Sequence, residues 1–360
     1  MPTSRPPVSP AAAQPSRLEA TLTRNWLRRG PLARALWPLS QVFRALAALR
    51  AALYRAGWLR STRLAVPVVV VGNIFIGGTG KTPLTIWLVQ ALRQAGMRPG
   101  VISRGHGGRE EGARAVTPAS SAREVGDEPL LIARRGECPV MVGRDRAAAG
   151  RALLAAHPEV DVLIADDGLQ HYALRRDVEI VLFDGRATGN GWLLPAGPLR
   201  EAATRRRDFT VVNTALLTDA LRAAVAGPGA VLTQMQLVGD YAERLAGGAE
   251  RRPLAELAGS RARIVAAAGI GNPERFFGML REKGVRFAEL PLPDHHDFLD
   301  RPFAGVDADI ILITEKDAVK CAQIEYLKDD PRLWVVPVTA RIDAVLAQQI
   351  VEKCRGQSTA

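Results

Sequence analysis

Val66-Pro67-Val68-Val69-Val70-Val71-Gly72-Asn73-Ile74-Phe75-Ile76-Gly77-Gly78-Thr79-Gly80-Lys81-Thr82 is the stretch that decides the fold. A β-branched run that ends in glycines and then Gly-Lys-Thr is how a strand feeds a phosphate-binding loop. The glycines Gly77, Gly78 and Gly80, with Thr79, let backbone N–H groups converge on phosphate oxygens. Lys81 adds a cation, and the Thr82 hydroxyl can ligate Mg²⁺. A helix starting near Lys81 would aim its positive end at the same anion.

The strict form of the motif has glycine at position 75, where this chain has Phe75. The tail from Gly77 to Thr82 is intact, so the segment resembles the looser loops of the P-loop superfamily. A nucleoside triphosphate is the expected ligand.

Outward from the loop, apolar strands alternate with helical stretches. Strands are expected at 66–71, 101–103, 140–142, 160–165, 179–183 and 210–213, with a helix near 83–95. That rhythm predicts an α/β fold: a P-loop NTPase-like, mostly parallel sheet with helices on both faces. A smaller C-terminal α/β domain follows, with strands at 264–268, 310–314 and 333–338 and a helix at 273–283. The expected organisation is a disordered tail (1–16), a basic helical segment (17–63), a kinase-like domain (64–247), the C-terminal domain (248–345) and a tail (346–360).

The chain has 360 residues, a net charge of +11 and 47% hydrophobic residues, enough for two cores. Its three cysteines have no metal-site spacing, which argues against a disulfide framework or a zinc ribbon. No acidic residue occurs between Glu19 and Glu110, while arginines recur throughout. Such a block calls for an anionic partner: nucleic acid, anionic lipid or a phosphorylated substrate.

Within it, Leu32, Leu36, Leu39, Phe43, Leu46 and Leu53 fall on one side of a helix, Arg34, Arg44 and Arg55 point away, and Arg50 intrudes. Pro38 is expected to kink or divide this helix. No window is long and apolar enough to span a bilayer. Two readings stand side by side: an amphipathic interfacial helix, with Trp26, Trp37 and Trp58 at headgroup depth, or a helix packed on its own domain.

Several other segments can carry chemistry. An apolar strand ends in Asp166-Asp167-Gly168-Leu169-Gln170-His171, where a P-loop enzyme keeps its Mg²⁺-holding acid. Gly126-Asp127-Glu128-Pro129 reads by itself as a helix start. Ser103-Arg104-Gly105-His106 is a basic loop that either grips a phosphate or merely turns. Leu194-Pro195-Ala196-Gly197-Pro198-Leu199-Arg200-Glu201 is a rigid loop with a charged end. Asp294-His295-His296-Asp297 is open between a base, a metal site and a solvated loop. Thr314-Glu315-Lys316-Asp317 lacks guanine-reading spacing, which favours ATP over GTP.

In this order the segments resemble the tetraacyldisaccharide 4′-kinase family, with Gly269-Ile270-Gly271-Asn272-Pro273 and Asp317-Ala318-Val319-Lys320 continuing the pattern. The resemblance implies transfer of the ATP γ-phosphoryl group to the 4′-hydroxyl of a lipid A disaccharide 1-phosphate. It places the enzyme as a peripheral or monotopic protein on the anionic cytoplasmic face of a bacterial inner membrane. Neither nucleic acid nor an obligate protein partner is implied.

Carried over by residue, the resemblance has Gly77, Gly78, Thr79, Gly80, Lys81 and Thr82 cradle ATP. Thr82, Asp166, Asp167 and Glu201 hold Mg²⁺, with the choice between the two aspartates open. Asp127 and His295 match the family's acid–histidine pair, and Lys81 assists catalysis. Arg104, His106, Glu128, His171 and Arg200 match substrate positions, although the family usually carries Tyr where this chain has His106. The competing reading is a regulatory P-loop ATPase that binds nucleic acid or a partner protein through the basic N-terminus.

Overall fold

A computed structural model describes residues 25–105, 112–247 and 250–356. The expected tail at 1–16 and His106 lie outside the described residues. The described residues form two compact units, one up to Val238 and again from Val338 onward, the other from Gly239 to Pro337.

The larger unit is built on strands β1 (Val68–Asn73), β2 (Pro99–Ser103), β3 (Arg114–Val116), β4 (Val140–Val142), β5 (Val162–Asp166), β6 (Val178–Asp184), β7 (Phe209–Asn213) and β8 (Val231–Val238). The smaller unit contributes β9 (Tyr241–Arg244), β10 (Arg251–Pro253), β11 (Ile264–Ala268), β12 (Ala288–Pro291), β13 (Ile310–Thr314) and β14 (Leu333–Val336). Strand β15 (Thr339–Ile342) returns to the larger unit.

The larger sheet runs β15-β8-β7-β6-β1-β5-β2-β4-β3. The strands from β8 to β4 are mutually parallel, and β15 and β3 are antiparallel edges. β1, the strand of the phosphate loop, lies between β5 and β6 and is buried along its whole length. Burial on both faces explains why it reads as an unbroken Val run rather than as alternation. From β1 the chain works outward in opposite directions, to β2 on one side and through β6 to β8 on the other. A ligand crevice opens at the carboxyl ends of the strands where a parallel sheet divides in this way.

The smaller sheet runs β10-β9-β14-β13-β11-β12, with β14, β13, β11 and β12 parallel. One of its cores is built around Phe276, Phe277, Leu280 and Trp334 and the other around Phe298, Phe303, Ile311 and Leu333. Because β9 pairs with β14, residues 241–244 belong to this unit, and the chain enters it at Gly239 rather than near residue 248. The stretch expected as a C-terminal tail folds instead as the helix Val345–Arg355. Leu346, Ala347, Ile350, Val351 and Cys354 are buried along one stripe of it, and Lys353 pairs with Asp208 at 2.8 Å.

Helix Pro31–Arg55 runs unbroken through Pro38, so the proline does not divide it. It packs on the larger unit through Ala33, Ser40 and Phe43, with Ser40 Oγ donating to the Leu193 carbonyl at 2.8 Å. Arg50, which intrudes on the apolar stripe, donates to the Gln170 carbonyl, and Tyr54 stacks near Tyr172 at 5.8 Å. Leu39 (56%), Val42 (55%), Leu46 (61%) and Leu49 (56%) stay exposed on an adjoining face. Among the described residues no helix is long and apolar enough to cross a membrane.

Candidate active site

β1 and β5 are neighbours, with Val71 opposite Asp166. The glycine-rich loop and the two aspartates therefore meet at one end of the sheet. The loop turns through Gly77 at φ 97° and Gly80 at φ 101°, a region that L side chains rarely adopt. Helix Lys81–Gln94 starts at once after Gly80, so its free N–H groups face the loop. Side chains hold the loop's carbonyls: Asn73 Nδ2 donates to those of Phe75 and Gly77, and Asn213 Nδ2 to that of Thr79 at 2.9 Å.

Lys81 Nζ lies 3.0 Å from Asn73 Oδ1 and 3.7 Å from Asp167 Oδ1. Asp166 is fully buried and accepts from Thr85 Oγ1 at 3.2 Å and Ser103 Oγ at 3.3 Å. Burial, with the negative charges of Glu128 and Asp167, pushes its carboxyl up to about 7. Asp167 is displaced the other way. Burial alone would raise it, but Lys81 and Arg200 outweigh burial and hold it below the usual carboxylate range. Arg200 Nη1 is 3.5 Å from Asp167 Oδ2. Asp167 also sits at φ 49°, an uncommon conformation for a non-glycine residue, and its Oδ1 is buried with no hydrogen-bond partner. The buried Thr79 hydroxyl likewise has none.

Asp127 and Glu128 begin the helix Asp127–Gly136, as the Pro129 signal predicts, and Asp127 Oδ1 accepts the Glu128 N–H at 3.0 Å. Glu128 lies close enough to Asp166 to act on its charge, so the helix start and the site are one place.

Comparison with known proteins now bears on this arrangement. A family model described as tetraacyldisaccharide-1-P 4′-kinase matches residues 32–355. This chain belongs to the tetraacyldisaccharide 4′-kinase family. The tetraacyldisaccharide 4′-kinase of Janthinobacterium sp. (strain Marseille) is 63% identical over 353 residues, 97% of this chain and 100% of the relative. That of Herminiimonas arsenicoxydans is 61% identical over 364 residues, 98% and 100% of the two chains. A crystal structure of LpxK from Aquifex aeolicus in complex with ATP superposes with a TM-score of 0.73 at 28% identity. The match covers 90% of this chain and 99% of that one.

In this member of the tetraacyldisaccharide 4′-kinase family, the remaining residues marked by the sequence fall into three settings. Arg104, exposed just after β2, and His171 both lie near the buried Arg146. His171 is pushed down first by burial and then by Arg146. Glu201 is engaged elsewhere: Gln170 Nε2 donates to its Oε1 at 3.1 Å, and Tyr172 Oη and Arg205 Nη1 to its Oε2 at 2.9 and 2.6 Å. Arg205 then reaches Glu179 at 2.7 Å, and Arg176 closes the network at 3.0 Å.

In the smaller unit, the loop after β12 and the helix Glu315–Cys321 that follows β13 place Asp294, His295 and Lys316 together. Lys316 Nζ is 3.4 Å from Asp294 Oδ1 and 3.5 Å from His295 Nε2. His295 is exposed at φ 59°, whereas His296 is locked. The His296 Nδ1 accepts the Phe298 N–H at 3.1 Å, which leaves Nε2 as the protonated nitrogen toward Asp300 at 3.4 Å. Sequence reasoning marked Asn73 only as part of the loop motif and missed Thr85, Arg146 and Asn213. Arg146 carried no signal, because a lone arginine after a strand reads as solvated until the fold buries it under two carboxylates.

Proposed function

We propose that this protein transfers the γ-phosphoryl group of ATP to the 4′-hydroxyl of a tetraacyldisaccharide 1-phosphate. The observation that carries the reading is the convergence of Lys81, Asp166 and Asp167 at the carboxyl ends of β1 and β5, beside a loop shaped for phosphate, in a chain of this family. The loop from Gly77 to Thr82 cradles the triphosphate. Lys81, held beside the loop by Asn73 and Asp167, would supply positive charge to the phosphate oxygens.

The residues present fit a magnesium ion. Asp167 Oδ1 is a buried oxygen with no hydrogen bond, and the Thr82 hydroxyl follows the loop lysine. Among the described residues no group of three metal-ligating side chains gathers, which suits an ion that takes one or two carboxylates plus phosphates and water. Thr82 with Asp166 or Asp167 would hold it. When bound, the ion neutralises charge on the phosphate oxygens. Glu201, with both oxygens engaged, instead holds the loop after β5 in place.

Asp127 and His295, which match the family's acid–histidine pair, are the residues we assign to handling the proton of the sugar hydroxyl. A hydroxyl of high pKa needs only a late acceptor in a loose phosphoryl-transfer transition state, so positioning and charge supply most of the acceleration. Glu128, Arg104, His171 and Arg200 are assigned to the acceptor side. The exposed Leu39, Val42, Leu46 and Leu49, with the basic character of this segment, support docking on the anionic cytoplasmic face of an inner membrane.

The test is ATP consumption in detergent micelles, with and without tetraacyldisaccharide 1-phosphate and with Mg²⁺ or EDTA. Lipid- and Mg²⁺-dependent turnover is expected. Equal ATP hydrolysis without lipid would contradict the reading.

A further inference from the structure

Phe75 stands where the strict phosphate-loop motif has glycine, and the structure shows what occupies its ring face. The ring is buried at 3% exposure in the core beside Ile74, Leu193 and Leu199. The Arg186 guanidinium lies 4.3 Å from its centroid. Arg186 is fixed there by Asp184 at the end of β6, with Nε 3.0 Å from Oδ1 and Nη2 2.7 Å from Oδ2. The same Nη2 donates to the Gly78 carbonyl at 3.3 Å.

This contact has a geometric consequence. A trans peptide is planar, so holding the Gly78 carbonyl toward Arg186 turns the Thr79 N–H to the opposite side. Asn213, by holding the Thr79 carbonyl, does the same for the Gly80 N–H. Successive N–H groups turned to one side form a nest for an anion. Arg186 thus supplies for this loop a constraint that the missing glycine does not.

We propose that Arg186 is a positioning residue for ATP, acting through Phe75 and the Gly78 carbonyl to fix the phosphate loop in its binding shape. The proposal rests on the reading that residues 77–82 bind ATP. That reading fails separately if the wild-type protein shows no saturable ATP binding.

The experiment measures KM for ATP, KM for the lipid, kcat and Tm for Arg186→Met, Arg186→Lys and the charge-neutral pair Asp184→Asn/Arg186→Met. The double variant guards against the buried Asp184 charge losing its ion-pair partner. In Arg186→Met and in the double variant, KM for ATP should rise about tenfold, the usual size of a lost charged hydrogen bond, while KM for the lipid and kcat stay near wild type. Arg186→Lys should recover part of the loss, and in a Phe75→Gly background Arg186→Met should cost less. Unchanged KM for ATP in the folded double variant would overturn the proposal. So would equal losses in both KM values and kcat with a lowered Tm.

Discussion

The Lys81 ammonium stands 3.7 Å from the Asp167 carboxylate, joining the first residue of one helix to the end of the neighbouring strand. Asn73 holds the same ammonium at 3.0 Å, so the cation waits beside the loop rather than in solvent. Lys81→Ala should lower turnover at least ~100-fold with little change in Tm, the usual size of a positioned-charge effect. Steady-state kinetics on the purified variant checks this.

Asp166 makes the ligand-free protein sensitive to pH. A carboxyl raised to about 7 when folded binds more protons than the unfolded chain between about pH 4 and 7. Its stabilising contribution is therefore complete below that window and is lost as pH rises through 7. Without Mg²⁺ and nucleotide, Tm should fall between pH 5 and 8, and Asp166→Asn should flatten that fall. Differential scanning calorimetry across the range reads both.

His295 and His296 separate cleanly by environment. His296→Ala removes an acceptor from the Phe298 N–H and should lower Tm. His295→Ala, on an exposed ring, should leave Tm unchanged and lower kcat at least ~100-fold, as a lost general base does. The reverse pattern would exchange their roles.

Arg205 bridges Glu201 and Glu179 in a largely buried network. Arg205→Ala removes the cation that two largely buried carboxylates share and should destabilise the protein by about 3–5 kcal/mol. Urea unfolding measures it. The paired change Arg205→Met/Glu201→Gln should cost less.

On the first helix, Leu39→Glu/Leu46→Glu changes only exposed side chains. Sedimentation with anionic vesicles should fall about tenfold or more without a shift in Tm, since each leucine contributes on the order of 1.5–3 kcal/mol when buried. Undiminished sedimentation would move the lipid contact elsewhere.

The parallel strands were legible because each is a short apolar run closed by turn residues, and strands at 140–142, 264–268 and 310–314 lie where they were expected. Strands β3, β8, β9 and β10 were not, because half-exposed strands carrying Arg, Gln and Glu look like loops. The helix at 345–355 shows its stripe only over three turns. At the site, Lys81 and the Asp166–Asp167 pair stood out by type and spacing. Arg146, Asn213 and Arg186 act through contacts 20, 134 and 108 residues away, and no local pattern announces such partners.

The most direct measurement is the position of the phosphate on the product. Protein, γ-labelled ATP, Mg²⁺ and tetraacyldisaccharide 1-phosphate in detergent micelles should yield a 1,4′-bisphosphate with the label on the 4′-oxygen, formed in step with ADP. ADP released at the same rate without lipid, with the disaccharide recovered unlabelled, would contradict it.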